Sequence, residues 1–348
     1  MDEINESPQP YKEAESPSTL ASDINVSLHG FATEEEARRV GEAILGLMLL
    51  AGRSMDLSGI DGVTVSFDYR QALLGIDRGL DGLRPLIAST PEHEGVFGVA
   101  MSPAVLRDGK VKTHLVFHAA IVSPLADPEH ELFQQAAHTL VHECAHAAIH
   151  LAFDKVFPDV ILREKYDSYY LRYRGEVIYA CWEEYAATRM SANWGEDPIS
   201  GYLEILLTAL ETTGSKADDF VRSYRIHCDL DRVLGEVLPL YAQLIKWASY
   251  IIGTMHGQNR QITDLVELET ALAGHWFKEH FILLEAVYQN IWEQFGSWQN
   301  WLPFNALGDI AIEVLKSGGI VLSEGRADIP FRPNNTPNYE LAKLFGVI

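Results

Sequence analysis

The chain has 348 residues, 47% of them hydrophobic and 22% charged, enough to bury a sizeable core in one large domain or two. Lys+Arg total 27 against 49 Asp+Glu, and the formal net charge of −22 argues against nucleic-acid and membrane-surface partners. Three cysteines, Cys144, Cys181 and Cys228, are too few for a disulfide framework. The acidic start is the reverse of a signal peptide and no apolar run is long enough to span a bilayer, so a soluble, cytoplasmic protein is expected.

Residues 1–23 are rich in Glu, Ser and Pro and read as a disordered acidic tail. Thr33, with Glu36 three positions on, forms a capping pattern ahead of Val40, Ala43, Ile44, Leu47 and Met48 at helical spacing, and Gly52 ends that helix. Alternating apolar and polar residues predict strands over 63–67, 95–101 and 111–122. In the third, His114, Val116 and His118 share one face. Beyond Pro128 the pattern is helical: 129–153, then 176–194, then a long region punctuated by Gly214, Gly253, Gly257, Gly274 and Gly296, with a short closing helix over 339–345.

The informative string is His142-Glu143-Cys144-Ala145-His146, an H-E-x-x-H motif inside the first long helix. Residues four apart lie one turn above each other, so two imidazoles can grip one zinc ion from the same side. Glu143 is then placed to hold a water molecule and take its proton. The competing reading is an amphipathic helix with incidental histidines on a solvated face. Burying imidazoles and a carboxylate among so many Ala, Leu and Val residues is costly without a function, which favours the metal site.

A third ligand is needed that leaves one position open. His150 continues the four-residue stagger, but a straight helix cannot wrap three stacked imidazoles around one tetrahedral ion. His138 and His150 are therefore assigned beside the metal rather than on it. The next helix offers Glu183 and Glu184. Glu184 shares its face with Val177, Ala180, Cys181, Ala187, Thr188 and Ser191, a small uncharged stripe suited to close packing, and is preferred, with Glu183 in reserve.

The pairing of this motif with Glu184-Tyr-Ala-Ala187-Thr-Arg189-Met-Ser-Ala192 resembles the ImmA/IrrE-type metallopeptidases over about residues 130–192. Thr188 stands where that family often has Asn. The resemblance implies a zinc protease with a small mixed sheet beside the motif helix. It also implies a substrate among repressor-type regulators, which family members cleave or inactivate in stress and mobile-element responses. The long helical region after Pro198 departs from the compact family core.

Transition-state stabilisation requires a further donor, with His227, His256, Tyr185 and Arg189 as candidates. His256 follows the helix over 238–254 and precedes Gly257, so it is expected to project into the cleft as a catalytic residue; the alternative is a favourable charge at a helix end. The strand carrying His114 and His118 is a candidate border of the cleft, able to add an extended peptide as a strand, or else a half-exposed strand with no such role. The expected architecture is α+β: a zincin-like domain over 24–197 and a helical region over 198–348. The expected activity is zinc-dependent hydrolysis of a protein or peptide. The alternatives are a catalytically silent zincin-fold binding or regulatory protein and a non-peptidase zinc hydrolase.

Overall fold

The computed structural model describes residues 16–88, 98–346 and 348. Strands β1 (Val26–His29), β2 (Ile60–Ser66) and β5 (Lys110–His118) run parallel, while β3 (Ala100–Met101) and β4 (Ala104–Arg107) pair antiparallel with β5. The order is β1-β2-β5-β3, with β4 also on β5. Ala100 opposes Phe117, Met101 opposes Val116 and Ala104 opposes Thr113, so β3 and β4 share one register across Ser102 and Pro103. Pro103 has no N–H to give, which an edge strand tolerates, and its carbonyl accepts from the His114 N–H at 3.0 Å.

Helices follow the patterning, although the one expected over 176–194 runs from Tyr169 to Ser191, capped by Ser168. α1 (Glu34–Ala51) starts where Thr33 Oγ1 accepts the Glu36 N–H at 3.1 Å. Short α2 (Tyr69–Leu74) packs on the outer face of the sheet. The motif helix α4 (Phe133–Val156) and the second helix α5 (Tyr169–Ser191) are followed by α6 (Ile199–His227), α7 (Leu230–Gly257), α8 (Val266–Leu272), α9 (Lys278–Trp292), α10 (Leu302–Ser317) and α11 (Tyr339–Leu344). A hairpin of β6 (Val321–Ser323) and β7 (Arg326–Asp328) sits between the last two. The fold is mixed α+β with a largely helical carboxyl-terminal region.

Three expectations change. The strand over 111–122 stops at His118, whose Nδ1 accepts the Ala120 N–H at 3.2 Å and caps α3 (Ala119–Val122). The stretch over 95–101 is strand only at β3, and residues 95–97 lie outside the described residues. The expected tail reaches too far: residues 1–15 lie outside the described residues, but Thr19 Oγ1 accepts the Leu57 N–H at 2.8 Å and Leu20 is buried.

One core runs from Leu20 to Leu322, crossing the expected boundary at residue 197 without a break. Phe153 on α4, Trp182 on α5 and Phe304 on α10 meet around Trp298, with Trp182 and Phe304 rings 5.7 Å apart and nearly perpendicular. Among the described residues no helix is long and apolar enough to cross a membrane.

Gly253 and Gly257 do not punctuate the chain; they let α7 press against α5. A Cβ at Gly253 would stand 2.0 Å from Thr188 Oγ1 and 2.3 Å from the Tyr185 carbonyl, and one at Gly257 would meet the Arg189 carbonyl at 2.4 Å. Helix propensity alone makes Gly→Ala stabilising by about 1 kcal/mol. Because backbone cannot yield, Gly253→Ala is expected instead to destabilise by roughly 1–3 kcal/mol. Urea unfolding reads the sign, and a higher midpoint for the variant contradicts this packing.

Candidate metal centre

His142 and His146 stand one turn apart on α4, their rings nearly perpendicular, with the two Nε2 atoms 3.2 Å apart. Across from them the small face of α5 lets Glu184 approach, and its Oε2 lies 3.5 Å from His142 Nε2 and 3.6 Å from His146 Nε2. His142, His146 and Glu184 form a group that could hold a metal ion. Glu184 Oε2 is buried with no hydrogen-bond partner, whereas its Oε1 lies 3.2 Å from Lys246 Nζ. An uncompensated buried carboxylate oxygen is costly, and a cation would satisfy it.

Glu183, the reserve ligand, has a different position. Its Oε1 lies 2.9 Å from His146 Nδ1 and 2.6 Å from His150 Nε2, while His150 Nδ1 lies 2.7 Å from Thr113 Oγ1. With Nδ1–H of His146 donated to Glu183, Nε2 is the ring atom turned toward Glu184 Oε2. His150 therefore stands beside the metal group, stacked on Tyr179, and anchors Glu183 to the sheet. His138 also stands aside: its Nδ1 donates to the Trp194 carbonyl at 3.1 Å. Burial, reinforced by His142, pushes the His138 pKa down to about 4 and keeps the ring neutral.

The charges are held against the cost of burial. Burial alone would raise Glu183, but His150 and His146 outweigh it and bring it down to about 2. Burial would likewise raise Glu184, and Lys246 and His142 hold it well below the usual carboxylate range. For His146, burial opposes the charged form, yet Glu183 and Glu184 lift its pKa to about 9.

These groups open into a cavity of about 760 Å³. Glu143 lines it, and its Oε2 accepts from Ser102 Oγ at 2.6 Å. A further wall comes from Tyr202 on α6 and from Lys246, Trp247 and Tyr250 on α7. Tyr250 stacks on His142 at 6.0 Å and 19°, and touches Tyr202 and Trp247 rings at 4.7 and 4.8 Å. Sequence reasoning missed this wall; Lys246 interrupting an apolar helix was its one visible sign.

His256 is not part of the cavity wall. Its Nδ1 lies 2.8 Å from Tyr185 Oη and 3.3 Å from Arg189 Nη1, and its Nε2 is 3.6 Å from Glu285 Oε1. Three of the expected oxyanion donors thus bond one another in a network that Gln289 completes by accepting from Arg189 at 2.8 Å. The fourth, His227, accepts the Asp229 N–H at 2.9 Å beyond the end of α6. His114 is tied to Thr64 at 2.9 Å and Asp61 at 3.3 Å within the sheet, so the strand bordering the cleft is the β3–β4 edge rather than β5.

Two outcomes follow from this geometry, with zinc as the probe ion. Glu183→Gln, which weakens the hold on His146 without removing a donor to the metal, is expected to lower affinity by about 10–100-fold. In addition, Glu183 and Glu184 favour the protonated His146 ring, so an ion binding at Nε2 is expected to expel a proton. Apparent affinity should therefore rise with pH up to about 9, the value to which His146 is lifted. Calorimetry in buffers of differing ionisation heat should show about one proton released per ion at pH 7; no release contradicts the assigned role of His146. No family model, curated protein or solved structure matches the chain.

Proposed function

We propose that the chain is a zinc-dependent metallopeptidase of the zincin type. The observation that carries this reading is the triangle of donors. A tetrahedral zinc site with ligands at about 2.0–2.1 Å has donor–donor edges of roughly 3.3–3.4 Å. The three edges here are 3.2, 3.5 and 3.6 Å. Two imidazoles and one carboxylate, leaving a position open toward a cavity, are the ligand set of a catalytic rather than a closed structural site. The resemblance of the motif and Glu184 helices to the ImmA/IrrE-type metallopeptidases supports the same reading.

When bound, zinc supplies Lewis acidity that polarises a carbonyl and lowers the pKa of water. The remaining work falls to the chain's own side chains. Glu143, next to His142 and facing the same cavity, accepts the proton of the attacking water and returns it to the leaving amine. Glu183 fixes the tautomer of His146 through Nδ1. Among the described residues β3 ends the sheet and lines the cavity, so its outer edge can take an extended peptide by strand addition. The aromatic side chains Tyr202, Trp247 and Tyr250 also line the cavity. Metal binding alone has no need of Glu143, which favours an enzyme over a silent binding protein.

The zinc-loaded full chain is expected to cleave fluorescein-labelled casein, and Glu143→Gln to lose roughly 10²–10⁴-fold in rate while keeping its zinc. A variant as active as the wild type, or a zinc-loaded wild type that cleaves no peptide bond, overturns the peptidase reading.

A further inference from the structure

The sheet edge lining the cavity carries a side chain with no assigned role. Ser102 lies between β3 and β4, and the constant register of that edge on β5 sets it opposite Leu115. Opposed residues in an antiparallel pair present their side chains to the same face. On β5 that face is occupied by Thr113, which bonds His150 of α4, and by the buried Leu115 and Phe117. Ala100, Ser102 and Ala104 therefore all face α4. Met101, one residue out of phase, packs instead with Tyr69, Leu73 and Val116 on the other side of the sheet. Two alanines flanking a serine let the edge come close to the motif helix, and the serine is the polar member of the three.

Ser102 Oγ lies 2.6 Å from Glu143 Oε2 and 2.9 Å from the Glu143 carbonyl oxygen. We propose that Ser102 is the positioning residue for the general base: its hydroxyl fixes the Glu143 carboxylate by Oε2 and leaves Oε1 to receive the proton of the attacking water. A carboxylate free to rotate about its last torsion spends part of its time aimed away from the water, whereas one tethered to a strand does not. The same strand is the edge offered to an extended peptide. Docking of substrate on β3 and aiming of the base thus pass through neighbouring residues of one segment. This rests on the peptidase reading and adds to it a residue outside the motif helix.

The test uses the zinc-loaded full chain, fluorescein-labelled casein, bound-zinc analysis and thermal melting, with Ser102→Ala and Ser102→Cys as variants. Cysteine preserves the size of the side chain but is a poor donor. Both variants should keep zinc, melting temperature and KM while kcat falls by about 10–100-fold, the order expected when a reacting group loses its orientation. One variant that folds, holds zinc and loses kcat in this way suffices if the other fails to fold. Wild-type kcat in a folded variant overturns the positioning role and leaves the peptidase standing. Loss of zinc or of folding in both makes the hydroxyl structural and also overturns it. A wild type that holds zinc but cleaves nothing removes the peptidase reading, and this role falls with it.

Discussion

Glu184 Oε2, buried 3.5 and 3.6 Å from two imidazole nitrogens and without a hydrogen bond, is the constraint around which this site is organised. Glu143 and Glu183 line the same cavity, and Glu164 and Glu176 add two more carboxylates to its wall, in a space where unpaired charge is expensive. The protein meets that cost in specific ways. Lys246 lies against the far oxygen of Glu184, the His146 and His150 rings meet Glu183, and Ser102 donates to Glu143. Glu184, Glu183 and Glu143 thereby each have a partner on a different element. What is left over is one oxygen and two nitrogens converging on a point, an arrangement that a divalent cation completes.

Holding that point requires elements from the whole chain. α4 supplies the imidazoles and Glu143, α5 supplies both remaining carboxylates, and the sheet contributes Thr113 and Ser102. The carboxyl-terminal helices are a wall of the site rather than an appendage: Lys246, Trp247 and Tyr250 line the cavity from α7. The close contact of Gly253 and Gly257 with the backbone of α5 brings that wall into reach. A continuous core from Leu20 to Leu322 makes the site and its walls one packed unit.

How much of this is legible in the sequence depends on whether the information is local. His142, Glu143 and His146 are readable because a four-residue spacing fixes two side chains on one helix face whatever the tertiary structure. Glu184 is readable from the small residues that share its face. The role of Glu183 is not: adjacent carboxylates point about 100° apart, and only the phase of α5 against α4 decides that one faces the metal group and its neighbour the back of His146. Ser102 is invisible because its position follows from strand register, set by pairing with a segment more than ten residues away. His256 misleads for a related reason. It does stand in the last turn of a helix, but α7 lies so close to α5 that this turn delivers the ring to Tyr185 and Arg189 instead of to open space. The strand over 111–122 ends early because the His118 ring, counted as a face-forming residue, turns back to cap the next helical turn.

Whether Glu184, His142 and His146 converge on an ion is decided by the donors around one. X-ray absorption at the zinc edge on the full chain, purified and equilibrated with zinc, counts the donors by element and distance. Two imidazole nitrogens and one carboxylate oxygen are expected at about 2.0–2.2 Å, with a light-atom ligand in the open position. Sulfur scattering at about 2.3 Å, or a spectrum of fully hydrated zinc, would contradict it.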